Sequence, residues 1–227
     1  MPLSLPSPSA RCIPLIGLGV ASALACAQPP ATASHPAPTF ASAAAPDSFL
    51  VDLATSRGRL TIAVYRQWAP QGVDRFYYLI KHRFFDQARF FRVVAGFVAQ
   101  FGLPADPRLG ESLDLSPLAD DAVRQTNAPG TLAFASAGPN TRTSQLFVNL
   151  RDNAWLDTLG GFGFAPIGRI IEGAELPALL TGEYDGENDP SQDSIRVQGN
   201  AYLIRLYPHL DYIQTARVVR EWRATHP

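Results

Sequence analysis

The 227-residue chain carries 19 Lys and Arg against 20 Asp and Glu, a formal net charge of −1, with 46% hydrophobic and 17% charged residues. That apolar content supports a core and excludes a disordered protein, and there is no cationic excess of the kind that nucleic acid or an anionic membrane surface selects. The two cysteines, Cys12 and Cys26, both lie near the N-terminus, so the body has no disulfide framework and no cysteine zinc site.

The first 46 residues hold 12 Ala, 9 Pro and 6 Ser, with Arg11 and His35 as their only basic residues and no acidic one. Arg11 precedes an apolar run that continues to Ala25, and Ala23-Leu24-Ala25 forms a small-x-small cleavage site. Residues 1–25 are therefore predicted to be a signal peptide, too short in its apolar part for the ~20 residues of a stop-transfer helix. Cys26 follows directly, and the segment resembles a bacterial lipoprotein signal, although Ala23 stands where that signal usually has Leu. Lipidation of Cys26 and ordinary cleavage both remain open. Either way the expected location is the bacterial periplasm or envelope, with a membrane tether in the lipidated case. Residues 26–46 are expected to be a disordered Ala/Pro-rich tether. The mature body, from about residue 47, has no free thiol and so no cysteine nucleophile.

In the body, residues 49–53 and 59–65 predict two strands around a turn at Ser56-Arg57-Gly58, because Leu60, Ile62 and Val64 alternate with Thr61, Ala63 and Tyr65. Pro70 suits the first position of a helix, and Val73, Phe76, Tyr77 and Ile80 give that helix one apolar face. Short apolar runs at 90–94, 97–100, 131–135, 146–150 and 168–171 predict further strands, residues 176–180 a short helix, and 195–198 a last strand. From residue 199 a helical extension is expected, with Tyr212, Ala216, Val219 and Trp222 as its stripe. Many short strands with few helices indicate a mainly β barrel or sandwich with peripheral helices.

Titratable constellations are sparse. His35, His82, His209 and His226 belong to no nucleophile motif and no metal-binding pair. Asp185, Glu187, Asp189 and Asp193 cluster, but Pro190 interrupts the spacing of a calcium loop, and an exposed acidic loop is expected. Asp120-Asp121 reads as a solvated turn. No cofactor or metal is expected. Two segments instead combine aromatics, a cation and amides: residues 90–102, FFRVVAGFVAQFG, and residues 130–157, GTLAFASAGPNTRTSQLFVNLRDNAWLD. An arginine beside an apolar pocket suits a neutral ring-shaped group that carries a carbonyl.

These segments resemble the signature blocks of the cyclophilin family of peptidyl-prolyl cis-trans isomerases, F-H-R-V-I-P-G-F-M-x-Q-G-G and G-x-x-x-M-A-N-A-G-P-N-T-x-x-S-Q-F-F-I followed by W-L-D. Weaker similarity extends over residues 49–198, with the downstream part closest to exported bacterial members. The resemblance implies a closed antiparallel eight-stranded β-barrel with two capping helices, an isomerase domain over 47–198, and proline-containing polypeptides as partners of a monomer. It also implies roles. Arg92 matches the catalytic arginine and Gln100 a substrate-backbone contact. Phe97, Val98, Phe147, Trp155 and Leu156 match the pocket, and Ala135, Ser136, Ala137 and Gln145 match the adjoining groove. Phe164 falls where the rim histidine is expected. Four positions depart from the family: Phe91 for histidine, Val98 for methionine, Ser136 for asparagine and Phe164 for histidine. The alternative is a proline-peptide binding module or chaperone on the same scaffold, which would not need the arginine.

Overall fold

The computed structural model describes residues 44–223. The expected leader and nearly all of the tether, Cys26 included, lie outside the described residues. The end of the tether is corrected. Ala45 is buried, and its amide donates to Asp74 Oδ1 at 2.9 Å, so packing begins before residue 47.

Alternation builds the sheet. In β1 (Ser48–Thr55) and β2 (Gly58–Tyr65) the core takes Phe49, Val51 and Leu53 from one strand and Leu60, Ile62 and Val64 from the other. The remaining strands are β3 (Arg92–Val94), β4 (Val98–Phe101), β5 (Thr131–Phe134), β6 (Leu146–Asn149), β7 (Pro166–Glu172) and β8 (Ile213–Trp222). They form one antiparallel, curled sheet in the order β3-β4-β6-β5-β7-β2-β1-β8. The strand ladder does not close as expected. β3 and β8 are its edges, and the chain before β3 meets the chain before β8 at a single bridge, Arg89 opposite Tyr212. There the Phe90 amide donates to the Asp211 carbonyl at 2.9 Å and the Ile213 amide to the Ala88 carbonyl at 2.8 Å. A three-residue β3 offers no longer ladder.

α1 (Pro70–Lys81) packs Val73, Phe76, Leu79 and Ile80 into the sheet's core. Among the described residues the other α-helical ones fall in three short helices, α2 (Pro107–Ser112), α3 (Gln192–Gln198) and α4 (Asn200–Leu206), and short 3-10 turns add to them, Leu176–Leu179 where a short helix was expected. α3 replaces the strand expected at 195–198. Ser191 caps it by accepting from the Ser194 amide at 3.3 Å, and its one buried residue, Ile195, packs on a second apolar cluster with Phe91, Leu103, Tyr202, Leu203 and Leu210. Gly199 separates α3 from α4 at φ +56°, where a Cβ would collide with the Ala105 carbonyl.

The helical extension expected over 199–227 is also corrected. Among the described residues of that stretch only Asn200–Leu206 is helical; Ala216, Val219 and Trp222 of the supposed stripe lie on β8, paired along β1, and Tyr212 precedes it. The stripe's four apolar residues fall at helical spacing by coincidence. Of these only Ala216 reaches the core, beside Ile213 at the start of β8, while Val219 and Trp222 stay exposed.

Asp121 is no solvated turn. It is buried, and its carboxylate accepts from the Gln71 and Gly72 amides at 3.0 and 2.9 Å and from Arg142 Nη1 at 3.0 Å. It therefore supplies the N-terminal cap that Ala69 lacks. Replacing Asp121 by Ala orphans two helix amides and uncouples a buried arginine, so urea unfolding is predicted to show a loss of about 3 kcal/mol. An unchanged midpoint would contradict the cap.

Candidate active site

Register places the candidate residues before any ligand does. Arg92 lies opposite Gln100, Gln100 opposite Phe147, and Phe147 opposite Ala133, one straight row across β3, β4, β6 and β5. Side chains alternate along each strand. Ala99 and Phe101 of β4, Leu146 and Val148 of β6, and Leu132 and Phe134 of β5 belong to the main core. Val98, Phe147 and Ala133 take the opposite face and form a separate apolar cluster with Leu156, against which Phe97, Ala135 and Phe164 pack.

That face carries a cavity of about 220 Å³ lined by Arg92, Phe97, Val98, Gln100, Ala135, Ser136, Phe147, Trp155, Leu156, Leu159 and Phe164. Ten of the residues expected from the sequence thus meet at one place. The other two, Ala137 and Gln145, line an adjoining cavity of about 280 Å³ that shares Gln100, Ala135 and Ser136 with the first. Phe147 and Phe164 meet edge to face at 5.8 Å between ring centroids, and Phe97 stacks on the half-exposed Trp155 at 5.7 Å. A chain of amides crosses the polar end. Gln100 Nε2 donates to Gln145 Oε1 at 2.8 Å, and Gln145 Nε2 donates to Gln192 Oε1 at 3.0 Å. Ser136 turns its hydroxyl back to the Gly138 backbone and toward Thr141 Oγ1, bracing the groove loop. A larger depression of about 410 Å³, lined by Leu103, Pro104, Pro107 and Leu115, holds none of the expected residues.

Three buried or nearly buried asparagines hold the pocket's parts together. Asn149, at the end of β6, donates to Asn127 Oδ1 at 3.0 Å and to Thr131 Oγ1 at 2.9 Å. Asn153 donates to Asn149 Oδ1 at 2.8 Å and to the Phe97 carbonyl at 3.0 Å. Asn127 donates to Asp157 Oδ1 at 2.7 Å and to the Phe164 carbonyl at 2.8 Å. The network thereby ties the backbones of Phe97 and Phe164 to the short 3-10 turn Ala154–Asp157 that bears Trp155 and Leu156. Sequence reasoning passed over these amides. Their signal was Asn149 inside a buried apolar run, where an amide needs partners.

The acidic loop is not simply exposed. Asp189 Oδ2 lies 3.3 Å from Arg92 Nε, whereas Asp193 pairs with Arg196 at 2.8 Å on the surface. Burial raises the Asp189 pKa above the ordinary carboxylate value, Asp185 adds to the rise, and the Arg92 charge opposes it. Phe91 has a structural explanation: it anchors the cluster that receives α3 and α4, a role an imidazole would fill poorly.

A curled antiparallel sheet with an apolar, ring-sized pocket and an arginine at its wall suits a neutral cyclic group. The chain belongs to the cyclophilin-type peptidyl-prolyl cis-trans isomerases: the family model of that description matches residues 50–199. Among its relatives, the peptidyl-prolyl cis-trans isomerase ppi1 of Schizosaccharomyces pombe is 36% identical over 129 residues, covering 56% of this chain and 81% of the relative. The peptidyl-prolyl cis-trans isomerase cyp18 of Streptomyces antibioticus is 32% identical over 151 residues, covering 63% and 89%. The fold is shared with a cyclophilin-type isomerase of Cryptosporidium parvum solved in the presence of the dipeptide Ala-Pro, with a TM-score of 0.55 at 20% identity over 74% of this chain and 98% of that one.

Asn153→Ala removes two donors and leaves Asn149 Oδ1 and the Phe97 carbonyl without them. We predict a loss of about 1–3 kcal/mol in thermal or urea unfolding, with a raised KM for any ligand of the pocket. Unchanged stability and KM would show that the network does not hold Phe97.

Proposed function

We propose that this chain accelerates rotation about X–Pro peptide bonds in polypeptides that fold outside the cytoplasm. The observation that carries the chemistry is the row Arg92, Gln100, Phe147 on one face of the sheet, with the apolar pocket around Phe147.

An X–Pro bond has a small trans preference but a rotation barrier of about 18–20 kcal/mol, so uncatalysed exchange takes tens of seconds. Twisting the bond removes amide resonance and leaves the proline nitrogen pyramidal and more basic. Arg92, charged at every physiological pH, donates to that nitrogen, and this contact stabilises the twisted state over both planar ones. Phe97, Val98, Phe147 and Leu156 seat the proline ring, with Trp155 and Phe164 at the rim. Gln100, steadied by Gln145, holds the adjoining backbone so that one side of the bond turns against a fixed other side. Ala135, Ser136 and Ala137 leave room for the chain on the N-terminal side of the proline. No proton is transferred, which agrees with the poverty of catalytic acids and bases in the pocket.

For location, the sequence features of residues 1–43 support export, with the isomerase body beginning just before β1. No helix among the described residues is long and apolar enough to cross a membrane; the anchor that the sequence offers is a lipidated Cys26. Expressed in a bacterium, the full chain is predicted to leave the cytoplasm. Recovery in the membrane fraction that Cys26→Ala abolishes would establish lipidation, recovery in the soluble periplasm would establish cleavage, and cytoplasmic retention would contradict export.

The decisive test of the chemistry compares the full chain with Arg92→Ala in a protease-coupled assay of an X–Pro tetrapeptide. The expected result is acceleration by the wild type and a fall in kcat/KM of about 100-fold or more in the variant, with an unchanged melting temperature. Equal activity of the two proteins would overturn the role given to Arg92.

A further inference from the structure

Given the isomerase activity proposed above, the segment between β7 and β8 supplies part of the site. Asp189 Oδ2 stands 3.3 Å from Arg92 Nε, and the two side chains retain only 29% and 35% of their exposure. The other carboxylate oxygen, Oδ1, is buried and has no hydrogen-bond partner among the described residues. A carboxylate kept in that state costs the fold free energy and calls for a reason.

Both members of the pair are mounted on the same apolar cluster. Phe91, the residue before Arg92, packs there with Ile195 and Tyr202, which follow Asp189 in the chain. Between them, the Ser191 amide donates to Tyr202 Oη at 3.2 Å, and Gln192 receives the Gln145 amide at 3.0 Å. The carboxylate is thus fixed in relation to the guanidinium by packing on each side, in contrast to the surface pair of Asp193 with Arg196.

We infer that Asp189 is a positioning residue for Arg92, holding the guanidinium through Nε so that the N–H groups of its two terminal nitrogens remain free for the twisting peptide bond. A guanidinium is a rigid planar fork with five donors and no acceptor. An ion pair at Nε restricts the plane of that fork and leaves the four N–H groups of the terminal nitrogens facing elsewhere. An arginine on a flexible stem would otherwise need ordering in each transition state. Asp189 itself touches no substrate.

The test uses the full chain and NMR exchange spectroscopy on an X–Pro tetrapeptide, which tolerates acid. Asp189→Asn is expected to lower kcat about tenfold with KM nearly unchanged, and Asp189→Glu to restore part of the loss. Added to Arg92→Ala, Asp189→Asn should cost nothing more, as two residues acting through one contact require. Asp193→Asn should match the wild type. The charged and titratable neighbours acting on Asp189 are Arg92, Asp185 and Tyr207. With its pKa raised by burial, Asp189 takes up its proton at a higher pH than an ordinary carboxylate, so wild-type kcat should fall on acidification and that step should vanish in Asp189→Asn. The Arg92 Nε–H resonance of the unmodified protein should titrate with the same midpoint, a reading independent of any variant's folding. Wild-type kcat and pH profile in Asp189→Asn, or an Arg92 Nε–H resonance indifferent to that titration, would overturn the inference. A wild type without turnover would instead sink the isomerase activity, while the resonance would still report the pair.

Discussion

The site depends on the register of three short ladders. Because side chains alternate with period two, a one-residue slip of β4 would carry Phe101 into the groove and Gln100 into the core. The core prevents that slip. Ala99, Phe101, Leu146, Val148, Leu132 and Phe134 are all essentially inaccessible to solvent, and each fixes the opposite orientation of its neighbour. The energy that fixes Arg92, Gln100 and Phe147 in one row is thus the hydrophobic energy of the core enclosed by the curled sheet, where each fully buried large side chain contributes about 1.5–3 kcal/mol. The candidate groups need no separate source of order for their backbone positions.

What register cannot supply is the placement of loops, and polar contacts supply it here. The asparagine network reaches Phe97, the turn bearing Trp155 and Leu156, and the Phe164 carbonyl from one buried cluster. The Gln100–Gln145–Gln192 chain links the sheet to α3 at the other end of the groove. Floor, rim and polar end are therefore mechanically connected. Such an arrangement suits a reaction whose chemistry is mostly geometry. The barrier falls only if the proline ring and the adjoining backbone are held while the bond between them turns, and if a donor is already in place for the nitrogen.

Much of this was legible in the sequence. Leu60, Ile62 and Val64 gave β2 by alternation alone, and the spacing of Val73, Phe76 and Ile80 gave α1. The pocket residues could be listed because two long blocks carry the family resemblance in the correct order. The failures share a cause. Residues 195–198 and 212–222 are short or weakly patterned, and their structure was decided by what they pack on: Ile195 by the cluster around Phe91, β8 by pairing with β1. Asp121 and Asp189 were read as solvent-facing because an isolated carboxylate usually is. Their partners, the α1 amides with Arg142 for one and Arg92 for the other, are at least 21 residues away and become visible only when the chain is folded.

A pocket that turns an X–Pro bond over differs measurably from one that merely holds the peptide around it. NMR exchange spectroscopy with the full chain at about one-hundredth of the concentration of an X–Pro tetrapeptide separates the two. Turnover gives cis–trans exchange cross-peaks at mixing times below a second, far shorter than the tens of seconds of the free peptide, and this is the expected result. Shifted resonances that saturate only at stoichiometric protein, with no exchange cross-peaks, would contradict it.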